Sequence, residues 1–167
     1  MKMNLPYQSG KVTLTSHFGW RTLNGQRDYH KGVDLSGTDK TLVAPCDGVI
    51  GSSTIITDKS NLTWQWGNYI RLDTAGGLKI FMCHIAVRKV KVVQKVKAGD
   101  VVGIEGNTGY SFGSHCHFEV RKNGESVDPT PYLRIPNEWG QYDIKNTSKG
   151  ETNMNTNISL DISDGKG

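Results

Sequence analysis

Two of the chain's five histidines stand a single residue apart, in GSHCHFEV (113–120). In an extended strand, residues i and i+2 share a face. His115, His117 and Glu119 therefore point one way, and Cys116, Phe118 and Val120 the other. The second set is apolar and belongs in a core. The first is polar and must face a cleft or water, so Cys116, despite its neighbours, is a poor metal-ligand candidate. An H-x-H pair also arises by chance on polar strands, and its meaning depends on the remaining histidines and carboxylates. YHKGVDLSG (29–37) carries His30 and Asp34. Four residues of straight strand span about 13 Å, too far for both side chains to reach one ion at ~2 Å each. Gly32 between them can bend the backbone and close the gap. Alone, the pair reads first as two unrelated surface residues. His84 lies in KIFMCHIAV (79–87), apolar on both faces. That places it on a central strand, either as a satisfied core residue or as a functional group at the strand's end. Taken together, four histidines and one aspartate fall in three strand-edge segments flanked by glycine. Two neutral imidazoles and a carboxylate with an open fourth position make the usual catalytic zinc site. Two imidazoles are then left over, the number needed for acid–base work and oxyanion stabilisation.

The segments that must position these groups read as strands. Hydrophobic residues make up 35% of the 167-residue chain, and 20 glycines punctuate short apolar runs, a pattern of a turn-rich β protein. GKVTLTSHFGWR (10–21) alternates and then turns. KTLVAPCDGVIGSSTII (40–56) is an apolar run broken by Pro45 and Gly48. NYIRLDTAGGLKIFMCHI (68–85) predicts a hairpin turning at Ala75–Gly77. RKVKVVQKVKAGDVVGIEG (88–106) alternates lysine with valine, the pattern of a half-buried strand face. SHCHFEVRKNGESVD (114–128) predicts a hairpin turning at Asn123–Gly124. No 3.6-residue periodicity extends beyond two turns. The size suits one domain, expected over residues 1–144 with IPNEWGQYD packing as a last strand or strap. Asn, Thr, Ser, Gly and Asp dominate 145–167, which predicts a polar tail or linker leading to a further module.

The net charge of +4 is compatible with an anionic polymer but equally with a slight lysine excess. There is no segregated basic face, so no nucleic-acid partner is expected. No apolar run approaches the ~20 residues needed to cross a bilayer, so no membrane partner is expected. MKMNLPYQSG lacks the apolar stretch of a secretory signal. Cys46, Cys83 and Cys116 are scattered and odd in number, and they predict small buried side chains rather than disulfides.

From TSHFGWR to VDPTPYL, residues 15–133, the sequence resembles the lysostaphin-type zinc endopeptidases of bacterial cell walls. FGWR…HKGVDL is similar to the family's first metal motif, and VAPCDGVI to the hairpin that follows. GNYIRLD…FMCHI resembles the central strand pair. VKAGDVVGIEGNTGYSFGSHCHFEV resembles the glycine-rich stretch ending in H-x-H. The resemblance implies a mainly β fold, an antiparallel sandwich or half-barrel of the duplicated hybrid motif type, with one Zn2+ in an open groove. By position it implies that His30, Asp34 and His117 hold the zinc and that His84 and His115 are the catalytic imidazoles. It implies peptidoglycan as substrate, cleaved at a peptide bond of the cross-bridge or stem. A monomer is expected. The setting is the cell wall, reached by phage-directed lysis, as for an endolysin or virion lysin, or by export with a leader removed.

Some residues depart from the family pattern. Cys83 stands where Gly, Ala or Ser is usual, Cys116 where Leu is, and Ser114 where Pro is. Phe112 occupies a small-polar position. None removes a ligand. Trp64 and Trp66, with Tyr110 and Phe112, are candidates for the substrate groove, or for an ordinary packed hairpin tip. Glu119 can orient a metal-bound histidine or pair with Arg121. His17 reads as a loop residue. A cupin-like metalloprotein needs a glutamate four or five positions after His117, where Arg121 and Lys122 stand. An iron(II) oxygenase facial triad would want H-x-D. A catalytically silent wall-binding module of the same fold is the non-enzymatic alternative.

Overall fold

A computed structural model describes residues 1–56 and 66–144. All strand pairs are antiparallel, as the glycine-turned hairpins predict. The strands are β1 (Lys11–Ser16), β2 (Gly19–Leu23), β3 (Gln26–His30), β4 (Val33–Gly37), β5 (Thr41–Val43), β6 (Gly48–Ile55) and β7 (Asn68–Asp73). They continue as β8 (Lys79–Cys83), β9 (Ile85–Arg88), β10 (Lys95–Val96), β11 (Val101–Glu105), β12 (Cys116–Lys122), β13 (Glu125–Val127) and β14 (Gly140–Asp143). A single helical turn, α1 (Thr130–Leu133), precedes β14. The nine-stranded main sheet runs β10-β6-β7-β8-β12-β4-β1-β14, with β13 attached to β12. A smaller sheet runs β5-β11-β9, and β2 pairs with β3 alone. Among the described residues the main sheet stays open rather than closing into a barrel. No helix among them is long and apolar enough to cross a membrane.

Alternation decides which face is core. On β12, Cys116, Phe118 and Val120 are fully buried, packed with Val33 and Leu35 of β4 and Ile80 and Met82 of β8. Leu42 and Val102 bring the smaller sheet into the same core. The β12–β13 turn needs positive φ at both central residues, and Asn123 (53°) and Gly124 (82°) provide it. The three cysteines are buried and unpaired, as expected of small apolar side chains.

One reading of the sequence changes. The lysine–valine alternation is not one strand. It breaks after Arg88 and resumes only as β10 and β11, and Val93 turns at φ 73° with its side chain largely exposed. The N-terminal segment belongs to the core. Met3, Leu5 and Tyr7 are buried in the core, tied by Met3 N–H to the Tyr132 carbonyl and by Val43 N–H to that of Pro6. The stretch IPNEWGQYD does supply the closing strand, β14, beside β1. The predicted tail, 145–167, lies outside the described residues.

Candidate metal centre

Three neighbouring strands carry the site. In the β12–β4 ladder, His117 stands directly opposite Asp34, and in the β12–β8 ladder it stands opposite Cys83. His84 follows Cys83 at once. It does not continue the strand: its φ is 67°, so it breaks the chain between β8 and β9 and swings its ring out of the core alternation. His30 ends β3, and the bend at Lys31–Gly32 returns the chain into β4. That bend brings His30 Nε2 to 3.2 Å from Asp34 Oδ1. A methyl group on Gly32 would press on the Phe118 carbonyl oxygen and stand 2.9 Å from His117 Cε1. Because the first of these is backbone, Gly32→Ala is expected to destabilise the fold by about 1–3 kcal/mol, measured as a lower midpoint in thermal melts.

The central geometry is a triangle. His30 Nε2, His117 Nδ1 and Asp34 Oδ1 lie 3.2 Å from one another along all three edges. Donors at ~2 Å from one tetrahedral centre are separated by about 3.3 Å. The hydrogen bonds on the far sides of the rings set the protons. His30 Nδ1 lies 2.8 Å from the His17 carbonyl, which can only accept, so the ring donates there and turns Nε2 to the triangle. His117 Nε2 donates in the same way to Glu119 Oε1 at 2.9 Å, so Nδ1 is the atom turned towards Asp34. Three electron-rich atoms thus converge, and a proton or a cation must lie among them. Burial opposes charge on both His117 and Asp34, but their mutual hydrogen bonding outweighs it. It pushes His117 up to about 9, with help from Glu119, and holds the Asp34 carboxyl well below the usual carboxylate range, with help from His30. A cation taken up here therefore displaces a proton.

Around the triangle, Arg21 places Nη1 3.6 Å from Asp34 Oδ2 and is itself held by Asp28 and Ser16. Glu119 is almost fully buried and also accepts from Arg121 Nε at 2.6 Å, so orienting His117 and pairing with Arg121 are compatible roles. The other two imidazoles stand side by side, with ring centroids 4.6 Å apart. His84 Nδ1 donates to the Thr108 carbonyl at 2.7 Å, and His115 Nδ1 to that of Gly113 at 2.8 Å. His115 Nε2 faces Asp34 Oδ1 at 3.7 Å. Burial pushes the His84 imidazole down to about 4, against the Thr108 hydrogen bond and with a contribution from the neighbouring histidines. At neutral pH it is uncharged, with Nε2 free to accept a proton.

The five residues expected to bind metal or carry the proton, His30, Asp34, His84, His115 and His117, lie together here. Tyr110 and Phe112 pair edge to face at 5.0 Å on an exposed loop leading to His115. Trp66 is part-buried against Tyr69 and Phe81, and its carbonyl accepts from His84 N–H at 2.7 Å. Trp64 lies outside the described residues. The sequence did not reveal the orienting carbonyls of His17, Thr108 and Gly113. A main-chain acceptor leaves no side-chain signal. His17 is a loop residue as expected, and its contribution comes through its backbone.

A profile of Peptidase family M23 matches residues 28–129, more than half of the chain and all four clustered histidines. The chain belongs to peptidase family M23. The lysostaphin-type resemblance therefore holds. Among M23 relatives, the peptidoglycan DD-endopeptidase ShyC of Vibrio cholerae is 31% identical over 120 residues, 70% of this chain and 26% of that protein. The chain spans only 20–31% of the length of curated relatives that it matches. Among solved M23 structures, a zinc containing peptidase from Vibrio cholerae superposes with a TM-score of 0.65 at 26% identity, covering 77% of this chain and 39% of that one. The catalytic domain of the antimicrobial peptidase lysostaphin from Staphylococcus simulans gives 0.60 at 29% identity, covering 74% and 92%.

Proposed function

We propose that this chain is a zinc-dependent endopeptidase that hydrolyses peptide bonds, in the cross-bridge or stem, of bacterial peptidoglycan. The observation that carries this reading is the 3.2 Å triangle of His30 Nε2, His117 Nδ1 and Asp34 Oδ1. Two nitrogens and one carboxylate oxygen are a donor set that suits zinc and leaves a fourth position open. Zinc held there supplies Lewis acidity, polarising a scissile carbonyl and acidifying water. His84 and His115 handle the proton. Each gives Nδ1–H to a backbone carbonyl, so each turns Nε2 to the site, and one of the two accepts the proton given up by the attacking water. Once protonated, the same atom donates a hydrogen bond to the oxyanion or a proton to the leaving amine. No serine or cysteine nucleophile is needed. The buried cysteines fit that, since burial raises the thiols of Cys83 and Cys116 far from reactivity.

The exposed rings of Tyr110 and Phe112, next to His115 in sequence, form one wall for a bound peptide. The Phe18–Tyr29–Trp20 stack lies beside His30 through the β2–β3 pairing and lines the other. The protein acts as a monomer on the cell wall, reached through phage-directed lysis or export. Purified protein treated with chelator and dialysed is expected to lose its ability to clear peptidoglycan suspensions and to regain it with one equivalent of zinc. Full clearing by the chelated, dialysed protein would end this reading. Sequencing the new amino termini identifies the bond.

A further inference from the structure

Glu105, at the end of β11, takes no part in the chemistry above, yet it is the most heavily hydrogen-bonded buried carboxylate among the described residues. Its side chain is wholly hidden from solvent. Oε1 accepts Tyr7 Oη–H at 2.6 Å and Gly37 N–H at 2.9 Å. Oε2 accepts Lys40 Nζ at 2.8 Å and Ser114 Oγ–H at 2.6 Å. Both oxygens accept two donors each, which an amide cannot reproduce, since its NH2 would face two N–H or O–H groups. The four donors come from four places along the chain: the N-terminal segment, the end of β4, the approach to β5, and the residue before His115.

The last of these bears on the active imidazoles. Residues 107–114 are mostly exposed, with only Thr108 and Ser111 half-buried, so packing does little to fix the segment. Yet it sets both rings, His84 through the Thr108 carbonyl and His115 through that of Gly113. The end of β11 grips its far end twice. Glu105 holds the Ser114 hydroxyl, and the Gly106 carbonyl accepts His115 N–H at 3.1 Å. We propose that the Glu105–Ser114 hydrogen bond is a positioning device for His115, fixing the backbone from which that imidazole reaches the reacting bond. This role rests on the reading of His115 as a catalytic imidazole.

The test uses the full chain loaded with zinc, acting on soluble cross-linked muropeptides released from peptidoglycan by a muramidase. Because Glu105→Gln can fail to fold, the informative pair is Ser114→Ala and Ser114→Thr. Ser114→Ala is expected to lower kcat by about tenfold or more, since misplacement of a reacting group by ~1 Å can cost 10²-fold. KM, zinc content and Tm stay close to those of the wild type. Ser114→Thr keeps the hydroxyl and is expected to restore kcat. Wild-type kcat in Ser114→Ala, a rate loss that merely follows lost zinc or lowered Tm, or no recovery in Ser114→Thr would each overturn the positioning role. His115→Ala separates the two levels. If that variant keeps full activity, the catalytic reading of His115 fails first. If it is inactive while Ser114→Ala is normal, only the positioning role fails.

Discussion

His117→Ala is expected to fold, to retain no zinc after dialysis and to hydrolyse no peptidoglycan. The alanine removes one corner of the 3.2 Å triangle, leaving His30 and Asp34 as the only protein donors. Loss of a partner that merely orients a ligand costs roughly 10–100-fold in metal affinity, and loss of the ligand itself costs more. The fold should survive because the neighbours on that strand, Cys116 and Phe118, keep their core packing, and Glu119 keeps Arg121. One hydrogen bond to Glu119 is lost, worth about 1–3 kcal/mol where a buried acceptor is left short of a donor. The measurement pairs elemental analysis with circular dichroism. A folded variant holding one zinc per chain would show that His117 does not bind the ion.

The second large effect separates chemistry from metal binding. His115→Ala is expected to hold zinc as the wild type does, yet lose about 10²–10⁴-fold in kcat, the range for a positioned acid–base group. His115 lies next to the triangle but outside it. Its Nε2 is 3.7 Å from Asp34 Oδ1, and its ring stacks at a tilt on His84. The two variants differ by two residues on one strand edge and should behave in opposite ways toward zinc. Equal zinc loss in both would place His115 among the ligands instead.

Much of this was legible because strands are regular. Period-two alternation put His117 and Glu119 on one face and Cys116 and Phe118 on the other, and the register of β12 against β4 then set Asp34 opposite His117. Gly32 marked the bend that turns a ~13 Å strand span into a 3.2 Å contact. The sequence was less informative where the backbone leaves the regular repertoire. His84 adopts φ 67°, a conformation uncommon outside glycine, and nothing in KIFMCHIAV announces it. The lysine–valine run kept a strand's periodicity while its middle turned away. The burial of Tyr7 depends on contacts with Leu42 and Glu105, far along the chain, which local pattern cannot report.

The placement of β1 and β14 has a practical consequence for anyone transplanting this fold into a chimera. The family match stops at residue 129 and starts at 28, yet β1 lies between β4 and β14 and covers the core with Val12 and Leu14. A graft trimmed to the matched span would strip the sheet edge next to Asp34 and delete the His17 carbonyl that orients His30. A transferable cassette therefore runs from Met3 to Ile144, whose side chain packs on the core and whose N–H bonds the Gly10 carbonyl at 2.8 Å.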